Sequence, residues 1–266
     1  MFTTGDMTGL LLVGHGTRDS IGRSEFFQVC ELVAQRVEIP VRPCFLELAD
    51  PTIEQAVEEL LAYGVNRILV VPLLLFAAGH VKRDIPTAVQ AAVRGRVQIQ
   101  QAAQLGCHPR LVQLSAIRFR EAADRLNYPP SCTVSVLVGR GSRDPSATAD
   151  MVRFVGLRQE FVEARRTLHG FIAMASPAIE EVLQHTGNKT SSPIIVQPHL
   201  LFHGELSMQT DELVKRFQCI NSGRLWQIAG YLGVHALLVE AIVDRINEMK
   251  SGPTEVSEGK SVSEKS

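Results

Sequence analysis

Leu12-Val13-Gly14-His15-Gly16-Thr17-Arg18-Asp19 returns 125 residues later as Leu137-Val138-Gly139-Arg140-Gly141-Ser142-Arg143-Asp144. Six of the eight positions are identical, and Thr17 against Ser142 is conservative. The mismatch that matters is His15 against Arg140. A strand-to-loop unit was duplicated, and only the first copy keeps a group that can bind a metal or move a proton. The reading is a two-lobed protein with one working site, in the first lobe.

The repeat extends along most of the chain. Phe45-Leu46-Glu47-Leu48-Ala49-Asp50-Pro51-Thr52-Ile53-Glu54 aligns with Phe171-Ile172-Ala173-Met174-Ala175-Ser176-Pro177-Ala178-Ile179-Glu180. Val70-Val71-Pro72-Leu73-Leu74-Leu75-Phe76 aligns with Val196-Gln197-Pro198-His199-Leu200-Leu201-Phe202, and Leu105-Gly106-Cys107-His108 with Leu232-Gly233-Val234-His235. The offset drifts from 125 to 127, as duplication followed by small insertions leaves it. A period this long means two domains, not a solenoid.

The 266 residues suit two lobes, with a hydrophobic content of 45% that is ample for two cores. A net charge of -1 creates no global field for nucleic acid, so an anionic ligand must be met by local Arg or Lys. The five scattered cysteines show no metal-ligand spacing and read as reduced thiols of a cytoplasmic protein. No signal peptide or membrane span is expected: the apolar run Ile68 to Ala78 is too short and contains Pro72.

Apolar runs and helical stripes alternate. In the first lobe the strands fall at Leu10–Val13, Val41–Glu47, Arg67–Leu75 and Val97–Ala102. Helices are expected at Glu25–Val37, from Asp50-Pro51 to Gly64 with Asp50 as N-cap, at Val81–Val93 and at Pro109–Leu126. In the second, strands fall at Thr133–Val138, Gly170–Ala173, Ile194–Pro198 and Leu225–Ala229. Helices are expected near Ala147–Arg165 and at Ala178–Gln184, Leu206–Phe217 and Val234–Met249. The fold class is therefore α/β, two flavodoxin-like lobes, each a four-stranded parallel sheet with helices on both faces. The first lobe is assigned to 9–127, a linker to 128–132, the second lobe to 133–250 and a disordered tail to 251–266.

In doubly wound sheets ligands bind beyond the carboxyl ends of the strands. His15 follows the first strand, Glu47 ends the second and His80 lies just past the third. With strand order 2-1-3-4 these strands are neighbours, about 4.8 Å apart, and the three side chains can converge. Two imidazoles and a carboxylate with open positions suit a divalent first-row metal. Singly, each has a plain reading: a histidine in a glycine loop, a salt-bridge glutamate, a helix cap. The second lobe favours the functional one, because there His15, Glu47 and His80 become Arg140, Ala173 and Glu205 while the surrounding Gly, Pro, Arg and Asp persist. Asp19 and Asp144, kept in both copies, read as helix caps or loop ion-pair members. His108 and His235 read as scaffold. His199 and His203 are a possible accessory pair of open role.

Gly14-His15-Gly16-Thr17-Arg18, Phe45-Leu46-Glu47 before Asp50-Pro51, and Pro72-Leu73-Leu74-Leu75 leading to Gly79-His80 resemble the sirohydrochlorin chelatases, the CbiX/SirB group of class II tetrapyrrole chelatases. The resemblance runs from about Leu10 to Met249. It implies two chelatase-like lobes with the macrocycle in the cleft between them, and His15, Glu47 and His80 as metal-binding and catalytic residues. The implied reaction inserts Co2+ or Fe2+, as substrate, into sirohydrochlorin, toward cobalamin or siroheme, with cobalt favoured. Arg18, Lys82, Arg83 and Arg140 are the cations expected to receive the macrocycle's carboxylates. The second lobe is expected to close the cleft rather than catalyse. Long members' His-rich tract or Cys motif is missing, so no iron–sulfur cluster is expected. Two fused lobes supply what a single-lobe member would need a dimer to build, which allows a monomer and leaves the oligomeric state open. Two other readings stay open at this point. One is a non-catalytic metal or tetrapyrrole carrier. The other is histidine-phosphatase-like phosphoryl transfer, against which Gly14 stands where such enzymes place an arginine.

Overall fold

The computed structural model describes residues 7–76 and 79–250, without the side chains of His80 and Val81. The stretch 251–266, expected to be a disordered tail, lies outside the described residues.

Two all-parallel sheets form. The first has the order β2-β1-β3-β4, from β1 (Thr8–Gly14), β2 (Val41–Phe45), β3 (Arg67–Pro72) and β4 (Gln98–Gln101). The second has the order β6-β5-β7-β8, from β5 (Val134–Gly139), β6 (Arg166–Phe171), β7 (Ile194–Pro198) and β8 (Trp226–Ile228). β1 and β3 are apolar along nearly their whole length because helices cover both faces of the sheet. The register is the same in both lobes: Leu12 pairs with Pro43 and Val71, and its counterpart Leu137 pairs with His169 and Gln197.

The helices are α1 (Ser20–Ala34), α2 (Ile53–Ala62), α3 (Ile85–Val93), α4 (Pro109–Leu126), α5 (Pro145–Gln159), α6 (Ile179–Lys189), α7 (Glu205–Ile220) and α8 (Ala236–Lys250). α2 and α3 close a core on one face of the first sheet, around Leu11, Val57, Leu60 and Val70. α6 and α7 do the same in the second, around Val136, Leu183 and Phe217. The remaining helices, α1 and α4 of one lobe with α5 and α8 of the other, share a single core that includes Phe26, Val29, Leu111, Leu137, Phe154 and Ile242. The lobes are thus joined by a common apolar layer. Within it the buried Arg158 of α5 reaches Ser115 Oγ of α4 at 2.9 Å and Gln197 Oε1 of β7 at 2.5 Å, and lies over the Phe119 ring. Burying a guanidinium requires such partners.

Several element bounds differ from the sequence reading, for local reasons. α1 begins at Ser20, not Glu25, because the Asp19 carboxylate accepts the Gly22 N–H at 2.7 Å and starts the helix there. α5 likewise begins at Pro145, one residue after the cap Asp144, and ends at Gln159 rather than Arg165. Thr52, not Asp50, caps α2: its hydroxyl accepts the Gln55 N–H while the Gln55 side chain accepts the Thr52 N–H at 2.8 Å. The Pro51 carbonyl is instead taken by the Phe45 N–H at 2.9 Å. β3 stops at Pro72, and a helical segment His80–Asp84 precedes α3. β6 spans Arg166–Phe171 rather than Gly170–Ala173. Among the described residues no helix is long and apolar enough to cross a membrane.

Candidate active site

The loop after β1 is built from small, matched parts. Gly16 has φ 104° and Gly141 has φ 87°, values that favour glycine. A Cβ on Gly16 would collide with the Glu47 carbonyl, and one on Gly141 with the Ala173 carbonyl, so each glycine lets the loop after the neighbouring strand lie directly on it. The Glu47 N–H donates to the His15 carbonyl at 3.0 Å, and the Ala173 N–H to the Arg140 carbonyl at 3.0 Å. Thr17 Oγ1 accepts the Asp19 N–H at 3.1 Å, as Ser142 Oγ accepts the Asp144 N–H at 3.0 Å. The repeated residues therefore hold the loops, and the unrepeated ones project from them.

This scaffold brings His15 and Glu47 together at the carboxyl ends of adjacent strands. His15 Nε2 lies 3.5 Å from Glu47 Oε1, with the imidazole about a quarter exposed and the carboxylate half exposed. Two donors bonded to one metal at about 2.1 Å and a tetrahedral angle stand about 3.4 Å apart. The separation of the pair matches that of two donors on one ion. His80 opens the helical segment after β3, the strand on the other side of β1. Its side chain lies outside the described part of the chain. Among the described residues no three metal-ligating side chains form one group.

Of the four expected macrocycle-binding cations, Arg18 and Arg140 are exposed in the loops after β1 and β5. Arg83 folds back toward Gly79, where a Cβ would lie 3.3 Å from Nη2. Lys82 is committed elsewhere: Nζ reaches Asp144 Oδ2 at 3.0 Å and Ser146 Oγ at 2.8 Å, across the lobes. Its counterpart tie runs the other way. His203 Nδ1, in the loop after β7, lies 2.9 Å from Asp19 Oδ1, and the His203 N–H donates to Glu25 Oε2 at 2.7 Å. The Gly22 N–H, and then His203, hold the Asp19 carboxyl below its usual range. Ser146, followed by Lys82, takes Asp144 down to about 2. These two ties join loops at the carboxyl ends of the two sheets, so the His15–Glu47 pair stands at the junction of the lobes. Sequence reasoning missed them because each joins residues more than 60 positions apart.

His199 and His203 do not form a pair. His199 is fully buried between Phe154, with ring centroids 4.0 Å apart, and Phe76 at 5.4 Å. Burial, and then Arg158, lower its pKa to about 3. His108 and His235 cap α4 and α8, with Nδ1 accepting the Arg110 N–H at 3.3 Å and the Leu237 N–H at 3.1 Å. A cavity of about 700 Å³ lies between α1, α4 and the loop that precedes α8, and one of about 940 Å³ between the start of α4 and the far half of α8; neither is lined by His15 or Glu47.

Comparisons with known proteins bear on the family and the fold. The family model described as CbiX matches twice, over residues 9–122 and 134–249. A sirohydrochlorin ferrochelatase of Priestia megaterium is 31% identical over 249 residues, covering 92% of this chain and 91% of that protein. A sirohydrochlorin cobaltochelatase of the same organism is 27% identical over 253 residues, covering 94% and 83%. The solved structure of SirB from Bacillus subtilis with Fe3+ superposes with a TM-score of 0.82 at 28% identity, covering 91% of this chain and 95% of that one.

Proposed function

The chain belongs to the CbiX family, and we propose that it is an enzyme that inserts a divalent metal, cobalt or iron, into sirohydrochlorin. The observation that supports this best is the His15–Glu47 pair, held 3.5 Å apart by a loop pairing that the second lobe reproduces without either side chain. An N/O donor set of this kind accepts Co2+ and Fe2+ alike, so the choice of metal, and with it the cobalamin or siroheme route, follows supply more than ligand type.

In this reading His15, Glu47 and His80 receive the incoming metal. Insertion replaces these ligands by ring nitrogens and releases two pyrrole protons. Imidazole serves both needs, because its ordinary pKa of about 6.5 lets it ligate metal or take a proton near neutral pH. Proton uptake by His15 or His80 weakens its hold on the metal, which couples deprotonation of the ring to release of the ion. Arg18, Arg83 and Arg140 meet macrocycle carboxylates. Lys82 does so only by exchanging its bond to Asp144. The protein works as a single chain in the cytoplasm, the two lobes supplying both walls of the cleft.

The test is anaerobic absorbance of sirohydrochlorin with catalytic amounts of protein and Co2+ or Fe2+ in parallel. Conversion to the metallated ring over many turnovers, faster than without protein, is expected. A spectral change that stops at one equivalent of protein means a carrier instead.

A further inference from the structure

Next to Glu47 stands a large apolar residue in a conformation it ordinarily avoids. Leu48 has φ 65° and is 53% exposed. The Ala49 N–H donates to the Glu47 carbonyl at 2.9 Å, which makes Leu48 the apex of a γ-turn. The second lobe repeats the feature: Met174, at the matching position, has φ 58° and is 51% exposed. A bulky side chain at positive φ costs free energy, and an exposed apolar one returns little through folding. Glycine would serve either position better. Strain of this kind, at the carboxyl end of both sheets, asks for a use outside the fold.

The position of both residues is fixed. The Glu47 carbonyl lies on Gly16 and the Ala173 carbonyl on Gly141, while the Glu47 and Ala173 N–H groups bond to the carbonyls of His15 and Arg140. Each apolar side chain therefore starts from the residue next to the metal-donor position of its lobe, at the carboxyl end of its sheet. A tetrapyrrole presents a charged rim and a flat apolar face. The rim is met by cations, but the face has no partner in the His15–Glu47 pair.

We propose that Leu48 and Met174 are macrocycle-binding residues, one from each lobe, that pack on the apolar ring and set it against the donors. The proposal rests on the chelatase reading. It explains why the second lobe, having lost the carboxylate at Ala173, keeps its exposed methionine one residue on.

The test uses the full chain with Leu48→Gly, Met174→Gly and the double change, beside Leu48→Asn, which tolerates the left-handed region but is polar. Three quantities are read: the thermal midpoint, Co2+ affinity without macrocycle, and the Kd of metal-free sirohydrochlorin by anaerobic fluorescence quenching. The midpoint is expected to hold or rise, and Co2+ affinity to stay unchanged. The sirohydrochlorin Kd is expected to weaken about tenfold for each site, with KM following it and kcat nearly kept. Leu48→Met should bind like the parent. A double variant whose sirohydrochlorin Kd stays within about twofold of the parent, or Leu48→Asn binding as the parent does, would overturn the proposal. So would a loss of Co2+ affinity equal to the loss of ring affinity, because Leu48 would then act through Glu47. If the unmodified chain fails to bind sirohydrochlorin, the chelatase reading itself fails, and that is read separately from the variants.

Discussion

After β1 the His15 carbonyl accepts the Glu47 N–H at 3.0 Å; after β5 the Arg140 carbonyl accepts the Ala173 N–H at 3.0 Å. Both loops turn on a glycine at positive φ, both are pinned by a hydroxyl and both end in an aspartate helix cap. The backbone that carries the proposed site and the backbone of its counterpart in the second lobe thus make the same contacts. What separates them is which side chains the shared frame displays: imidazole and carboxylate in one lobe, guanidinium and methyl in the other. On the proposed reading, chemistry is carried by a few replaceable positions on a frame whose backbone contacts recur without them.

The sharpest way to break this comparison is to remove the displayed groups. His15→Ala should lower insertion by about 10³-fold, and His80→Ala likewise, whereas Arg140→Ala should cost less than about tenfold. Steady-state rates with unchanged circular dichroism would check this; equal losses in both lobes would end the one-site account. The frame itself should fail symmetrically. Gly16→Ala and Gly141→Ala each force a Cβ into a carbonyl at positive φ, and each should cost about 2–4 kcal/mol of stability by denaturant unfolding.

A third difference lies behind the loops, where His199 in the second lobe stands in place of Leu73 in the first. Both are buried, and among the described residues neither ring nitrogen of His199 has a hydrogen-bond partner. His199→Leu should stabilise the protein by about 1–2 kcal/mol near neutral pH. Its pH dependence sharpens the point. The folded chain keeps His199 neutral down to about 3, while the unfolded chain takes up that proton near 6.5. Between those values the unfolded state binds more protons, so stability falls on acidification, by up to about 1.4 kcal/mol per pH unit for this group. The gain from His199→Leu should therefore grow between pH 6.5 and 3. His108, His169 and His235 are lowered in the same direction, chiefly by burial, and will keep some slope in the variant. The smallest effect is expected at the lobe ties: His203→Ala should lower the thermal midpoint by no more than about 2 °C, since a partly exposed pair contributes little.

The architecture was legible because the repeat is written in residues that build turns. Gly16, Thr17 and Asp19 each have a local job, and local jobs leave local spellings. The strand order 2-1-3-4 goes with the flavodoxin-like class that the alternating elements indicate. The cap of α2 was misplaced onto Asp50 because an acidic residue before proline carries the same signal as Thr52 with Gln55, two residues on. The helix starts at Ser20 and Pro145 were read late because their first turns lack an apolar stripe. His15 beside Glu47 could be argued from strand ends. The tie of Lys82 to Asp144 could not, since only the packing of α1 and α4 on α5 and α8 brings those loops together. The same holds for His199, whose role the sequence leaves open and whose ring lies sealed between Phe154 and Phe76.

The most direct test of the central claim is the stoichiometry of Co2+ bound by the metal-free, macrocycle-free chain, titrated calorimetrically under anaerobic conditions. One ion per chain is expected, lost in His15→Ala and kept in Arg140→Ala. Two equivalent ions per chain, or one that survives His15→Ala, would contradict a single site in the first lobe.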